Sequence, residues 1–253
     1  TCALPIWEWS AEPYCKITDV PAWQAANPAL GHTVNIESLQ DSVARDNPDT
    51  VRTEMLCQWV DALDSPWDLA KYDAGLDRSL VMDPNLPTFM AMDLDFNRTQ
   101  CYLVSVQVAD DGLRMFSHAW IRDEPLQEQQ VASEILSIVR NFKVQLVAYD
   151  PRAAEHVAIH LKRAGIRMEA TPWSGQMFPT LCDMTMTAMN QKRIKHVGQP
   201  EIRSQLAACA RRAASDGGWR IARKQSGSIP AAVALVMAVG YAQIPQVRVT
   251  AAV

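Results

Sequence analysis

The sequence predicts an α/β fold, a mixed sheet flanked by helices and preceded by a helical connector. Three observations predict it. Two short runs of β-formers, residues 88–95 and 144–149, are apolar until each stops at a carboxylate, as buried strands do. Asp110-Asp111-Gly112 separates two further strand-like runs, which makes a hairpin turn. The segments between and after the strands carry apolar residues at helical spacing.

In chain order, residues 7–31 are rich in Pro, Trp and Asn, hold no sustained period and read as loop. Residues 36–46 and 48–59 read as helices, with Asn47 as N-cap and Pro48 at the first position of the second. Residues 61–87 are acidic, contain Pro66, Pro84 and Pro87, and read as a linker with a helical turn or two. Strands follow at 88–95, 101–108 and 113–121 as an antiparallel meander. A helix over 125–142 carries Val131, Ile135, Ile138 and Val139 on one face. Strand four is 144–149. The next helix, 151–164, ends at Gly165, and a short strand spans 166–170. Helices fit 177–190 and 200–214. Gly217-Gly218 makes a turn, 219–223 a short strand, and 229–241 the last helix.

The chain has 253 residues, is 48% hydrophobic and carries a net charge of −4. That balance does not suit a simple nucleic-acid coat. The average conceals a gradient: residues 1–90 hold 5 basic and 14 acidic side chains, whereas residues 190–224 hold 9 basic and 2 acidic. A local basic stretch suits either a solvated face or contact with a phosphate backbone. The six cysteines lack CxxC spacing and several lie in apolar runs, the pattern of reduced, buried thiols. The longest apolar segment, 229–241, is too short to span a bilayer and reads as a core helix, so no membrane partner is expected.

Asp93 and Asp150 close the two apolar strands, 57 positions apart. If both strands lie in one sheet, their acids can meet. Clustered carboxylates repel one another unless a hard divalent cation joins them. The pair therefore points to a metal-dependent hydrolase, with nucleic acid as the first substrate to consider. Asp95 shares the strand parity of Asp93 and could support the site, or it could start a turn. Asp150, before Pro151, is also a good helix N-cap. His156 and His160 share a helical face, but no nearby Cys or His completes a zinc set.

The order βββ-α-β-α-β-α is that of the ribonuclease H-like fold, in which strands one and four are central neighbours. More specific landmarks resemble tailed-phage terminase large subunits. They are Trp7-Glu8-Trp9-Ser10, Trp23-Gln24-Ala25-Ala26-Asn27-Pro28-Ala29-Leu30-Gly31, Arg52-Thr53-Glu54-Met55-Leu56-Cys57-Gln58-Trp59-Val60, Met92-Asp93-Leu94-Asp95, Ala148-Tyr149-Asp150-Pro151, His196-Val197-Gly198-Gln199-Pro200 and Ile229-Pro230-Ala231-Ala232-Val233-Ala234-Leu235.

The resemblance implies a DNA-packaging motor, with an ATPase half and a ribonuclease H-like nuclease half that cuts concatemeric double-stranded DNA. No GxxxxGK[ST] phosphate loop is present, so ATPase activity is not expected from this sequence. The expected layout is the end of the ATPase domain and a helical linker over 7–85, then the nuclease over 86–253. Residues 1–6, Thr-Cys-Ala-Leu-Pro-Ile, resemble a translated sequencing-adapter tail; they are expected to be non-native, with the reading frame cut upstream of Trp7.

The resemblance also implies Mg²⁺ or Mn²⁺, as two ions, with Asp93 bridging them and Asp150 holding one. A third acid is expected at the start of the last helix, where Ser228 or Pro230 stands instead. That departure puts the second ion in doubt, and Asp183 is a candidate substitute. Lys192, Arg193, Lys195, His196, Arg211, Arg212, Arg223 and Lys224 are candidates for DNA contact. Implied partners are portal protein and small terminase subunit, in the host bacterial cytoplasm and transiently at the procapsid portal. The alternatives are a catalytically weak DNA-binding and motor-docking module, or another ribonuclease H-like nuclease such as a resolvase.

Overall fold

The structure is a computed structural model that describes residues 9–12, 15–45, 51–58, 65–213, 218–223 and 226–244. The expectations for residues 1–6, Trp7, Glu8, the Asn47 cap, Trp59, Gly217 and Lys224 lie outside these residues. Two compact units divide the chain, Thr1–Asp64 and Ser65–Val253.

The first unit contains α1 (Val20–Ala26), α2 (Ile36–Arg45) and a π-helical turn, Val51–Met55. Its core gathers Ala22, Trp23, Ala26, Leu39 and Leu56. Helix α1 falls where the sequence suggested loop. Pro21 sits in its first turn, where a missing N–H costs nothing, and the Asn27 amide closes its end by donating to the carbonyls of Trp23 and Met55. The expected helix over 48–59 is, in its described part, only the π-helical turn.

The second unit begins with residues that were read as linker. Helix α3 (Leu69–Asp73) is capped by the Asp68 side chain, which accepts from the Lys71 backbone N–H at 3.2 Å. Trp67 and Tyr72 are buried in the same cluster as the sheet. Gly75 must lack a side chain, because a Cβ there would lie 2.0 Å from the Ile194 carbonyl oxygen. Gln107 clamps the approach to β1 by exchanging hydrogen bonds with the backbone of Asp83, at 2.9 and 2.6 Å. Residues 65–86 thus pack as part of this unit, ahead of the boundary expected at 86.

Strands β1 (Pro87–Leu94), β2 (Gln100–Ala109), β3 (Gly112–Ile121), β4 (Lys143–Tyr149), β5 (Met168–Ala170) and β6 (Ile194–His196) form one sheet in the order β5-β4-β1-β2-β3-β6. The meander β1-β2-β3 is antiparallel, and β1 pairs with β4 in parallel. Side-chain alternation splits β1 between two layers. Met90, Met92 and Leu94 pack with α4 (Glu128–Val139) and α5 (Pro151–Arg163). Phe89 and Ala91 pack with α6 (Met177–Asn190) and α8 (Pro230–Gln243). Asp93 has the parity of the second set. Helix α8 is buried from Pro230 through Tyr241, as expected of a core helix. Gly240 sets its closest approach to α6, since a Cβ would meet the Leu181 side chain at 2.5 Å. Cys101, Cys182 and Cys209 are buried thiols, and burial pushes the last two up to about 12.

The helix expected over 200–214 stops early. Helix α7 is Pro200–Ala208, and Arg211–Ala213 (β7) pairs antiparallel with Trp219–Ile221 (β8). The Ala-rich run Leu206-Ala207-Ala208-Cys209-Ala210 favours helix by propensity. Tertiary contacts override it: the Ala210 N–H donates to Ser226 Oγ at 2.8 Å, and the Ala222 N–H to the Ala210 carbonyl at 2.8 Å.

Candidate active site

Parallel pairing brings the two acids together. Met92 pairs with Tyr149, so Asp93 and Asp150 are the next residues along neighbouring strands. Both are buried. Asp150 is also the N-cap of α5, accepting from the Arg152 backbone N–H at 3.2 Å. The capping and site readings of this residue are therefore compatible: Oδ1 caps while Oδ2 accepts from Arg223.

Arg223 joins the acids. Its Nη2 donates to Asp93 Oδ1 at 2.8 Å and to Asp150 Oδ2 at 3.1 Å. The other Asp93 oxygen, Oδ2, is buried without a hydrogen-bond partner among the described residues. Burial pushes the Asp93 carboxyl up to about 6, against the pull of the Arg223 guanidinium. Burial also works against the Arg223 charge, but the two carboxylates outweigh it and raise its pKa. Arg223 was expected to face phosphate; the structure turns it inward onto the acid pair.

The remaining acids are placed differently. Asp95 closes the β1–β2 turn: its Oδ1 accepts from the Gln100 N–H at 2.8 Å and its Oδ2 from Thr99 Oγ1 at 3.0 Å. Both oxygens thus serve the turn, although the residue lines the cleft beside the pair. Asp183 lies exposed on α6, where it accepts from Trp219 Nε1. Ser228 lines a cavity with Asp95, Arg223 and Pro230, so the slot expected for a third acid does open beside the site. Among the described residues no group of three His, Cys, Asp or Glu side chains could hold a metal ion.

The basic residues divide into two sets. Lys192, Arg193 and Lys195 are at the opposite end of the sheet from the acids. Asp93 is level with Tyr102 and Ala119, whereas Lys195 is level with Arg114, five residues lower on β3. At the rise of a β-strand that is about 17 Å. Lys195 is paired with Asp111 at 2.6 Å, and Arg193 donates to Gln243. Arg211 stacks over Trp219. Among the described residues, Arg212 and Arg223 of the expected DNA-contact set line the cleft at the acids, a cavity of about 340 Å³ that also takes in Phe96, Arg98, Asp150, Arg152 and Trp173.

Arg98, Arg152 and Phe96 were not anticipated. Arg98 and Arg152 lie within three residues of Asp95 and Asp150, a proximity legible in the sequence but outweighed by the denser basic run beyond residue 190. Phe96 is 84% exposed at the cleft mouth.

His196 was a candidate for DNA contact, and the structure corrects this. It is buried on β6, donates from Nε2 to the Tyr72 carbonyl at 2.8 Å, and accepts at Nδ1 from the Gly198 N–H at 3.2 Å. Its ring stacks on Tyr72 at 3.9 Å. Burial holds it below the ordinary imidazole value. It ties residues 65–86 to the sheet edge and has no face left for DNA.

A central parallel strand pair that delivers two buried acids to a cleft, in a mixed six-stranded sheet flanked by helices, defines the ribonuclease H-like fold as the class. Comparison with known families narrows it: residues 107–245 match the model described as "Terminase large subunit, endonuclease domain". The chain belongs to that family. Among solved structures it is similar to the HK97 bacteriophage large terminase, at 19% identity and a TM-score of 0.59, over 92% of this chain and 56% of that one. It is also similar to the large terminase nuclease from thermophilic phage G20c, at 14% identity and a TM-score of 0.56, over 72% of this chain and 99% of that one. The same G20c nuclease with bound magnesium aligns at 12% identity and a TM-score of 0.55, over 70% of this chain and 97% of that one. At these identities the likeness shows the fold. No match is found among curated proteins. The chain spans little more than half of the HK97 terminase.

Proposed function

We propose that this chain is the divalent-metal-dependent DNA endonuclease part of a phage packaging terminase, cutting concatemeric double-stranded DNA. The observation that carries this reading is the convergence of Asp93 and Asp150 at adjacent strand ends, with a buried carboxylate oxygen left unpaired among the described residues.

The donor set fits a cation. Mg²⁺ and Mn²⁺ take oxygen ligands, and Mg²⁺ commonly keeps several waters while held by one or two carboxylates and substrate phosphate. Asp93 and Asp150 are the residues to hold it. When bound, such an ion supplies Lewis-acid charge and a water of lowered pKa. The chain's own residues do the rest. The cap on α5 fixes Asp150 at the strand end. Arg152 and Arg212, exposed in the cleft that Asp150 lines, offer charge to the DNA backbone, contacts that position a duplex without reading its sequence. Trp173 lines the same cleft, stacked against Arg220 at 4.4 Å, and gives it an apolar wall.

In this reading the unit Thr1–Asp64 is the end of an ATPase domain with its linker, and the unit Ser65–Val253 is the nuclease. Portal protein and small terminase subunit are the partners, in the host cytoplasm and at the procapsid. Among the described residues no helix is long and apolar enough to cross a membrane.

The test is nicking of supercoiled plasmid by the purified chain with Mg²⁺ or Mn²⁺. Activity that disappears in Asp93→Ala is the expected result; unchanged activity overturns the site. A second reading, a weak or inactive DNA-docking module, is favoured by the lack of a third ligand-type side chain among the described residues. Salt-dependent DNA binding with no cleavage in either metal selects it.

A further inference from the structure

We propose that Arg223 supplies the second positive charge of this site, so that the site takes one divalent cation where a three-carboxylate site takes two. The inference rests on the metal-site reading above and goes beyond it in assigning stoichiometry and a role to Arg223.

Geometry is the first ground. A single guanidinium nitrogen lies 2.8 Å from one carboxylate and 3.1 Å from the other, the bridging position of a shared cation. Arg223 takes Asp93 Oδ1 and Asp150 Oδ2, and the α5 cap takes Asp150 Oδ1. Asp93 Oδ2 stays buried and unpaired among the described residues, which leaves a carboxylate oxygen for a further positive ligand. Arg223 also lines both cavities beside the acids, so its charge borders the space a phosphate would enter.

Charge balance is the second ground. Three carboxylates holding two divalent ions carry one net positive charge. Two carboxylates with Arg223 and one divalent ion carry the same charge. Two divalent ions added to the present set would leave three uncompensated positive charges in a buried site, where charge repulsion is weakly screened. The side chains at the start of α8 agree with this count. Ser228 is neutral and Pro230 has neither charge nor N–H, so the side facing Arg223 brings no carboxylate to hold a second ion. An acid there would bond Arg223 and draw it off the pair.

Arginine suits the part because its guanidinium stays protonated and the two N–H groups of its Nη2 can serve two acceptors at once. The fixed charge replaces an ion that would otherwise have to be bound from solution.

The experiment is Mn²⁺ binding by the whole chain without DNA, followed by calorimetry and by the paramagnetic resonance of free Mn²⁺. One ion per chain is expected, with binding abolished in Asp93→Asn. Arg223→Gln removes the competing charge, so Mn²⁺ binding should tighten at least about tenfold while plasmid nicking falls. Combining Arg223→Gln with Ser228→Asp restores a three-acid set and should raise the stoichiometry to two. Arg223→Lys keeps the charge and should keep one ion; it also serves if the glutamine variant does not fold. Two ions in the unaltered chain, or weaker Mn²⁺ binding in Arg223→Gln, overturn the assignment and leave the metal site standing. No Mn²⁺ binding to the unaltered chain overturns the metal site and this inference together.

Discussion

Asp150 has two jobs in the proposed site, and two substitutions separate them. As N-cap of α5 it accepts from the Arg152 N–H at 3.2 Å; as a carboxylate it faces Asp93 across Arg223. Asparagine retains an acceptor oxygen for the cap and loses the charge, whereas alanine loses both. Both variants give up the ion pair with Arg223, so that cost cancels when they are compared. The cap is worth about 1 kcal/mol. For a unit the size of Ser65–Val253, that corresponds to a melting temperature about 2–4 °C lower in Asp150→Ala than in Asp150→Asn. Cleavage should behave differently. Losing a metal-holding carboxylate should cost both variants more than about 100-fold, because loss of a merely supporting group already costs 10–100-fold. The assays are thermal melts read by circular dichroism and a plasmid-nicking time course in Mn²⁺. Wild-type nicking by Asp150→Asn would refute the metal role and leave Asp150 a helix cap. Equal melting temperatures for the two variants would refute the cap argument.

Two further predictions concern the cleft and the buried histidine. Arg152→Ala with Arg212→Ala should weaken duplex binding and lower the slope of log K against log salt by up to about 2, measured by fluorescence anisotropy, whereas Lys192→Ala at the far end of the sheet should leave cleavage unchanged. His196 is neutral in the fold, and its unfolded form takes up a proton near pH 6.5, so the stability it carries is present above that pH and is lost as pH falls through 6.5 toward its lowered folded value. Asp93 contributes the opposite trend below about 6, so the check is the difference in melting temperature between the chain and His196→Gln from pH 5 to 8. A difference that does not shrink as the pH falls would refute the buried neutral ring.

The meander, strand four and both long helices after it were legible because each has a strong local cause. Strands β1 and β4 are continuous apolar runs, and α5 begins at an Asp-Pro cap and ends at Gly165. Helix α6 was legible over its full length. Of the short strands, β5 and β8 fall within the expected runs 166–170 and 219–223, whereas β6 and β7 were not legible. Strand β6 has three residues and exists because β3 offers it an edge and Gly75 leaves room for its backbone. Strands β7 and β8 exist because they pair with each other, against the helical propensity of the alanines before them. Helix α1, with Pro at its start and little periodicity, depends on a core formed with residues far along the chain.

The same division holds for the site. The sequence by itself determined that two acids end two buried strands and that no acid stands at Ser228 or Pro230, because these follow from residue type and local pattern. The tertiary structure decided what those acids touch. It paired β1 with β4, drew Arg223 from a basic run onto both carboxylates, and spent Asp95 on a turn and His196 on a packing contact. It also separated Lys192, Arg193 and Lys195 from the site while bringing Arg98, Arg152 and Arg212 to it. Charge acts over a few ångströms in space, and residues that are neighbours in a chain need not be neighbours across a sheet.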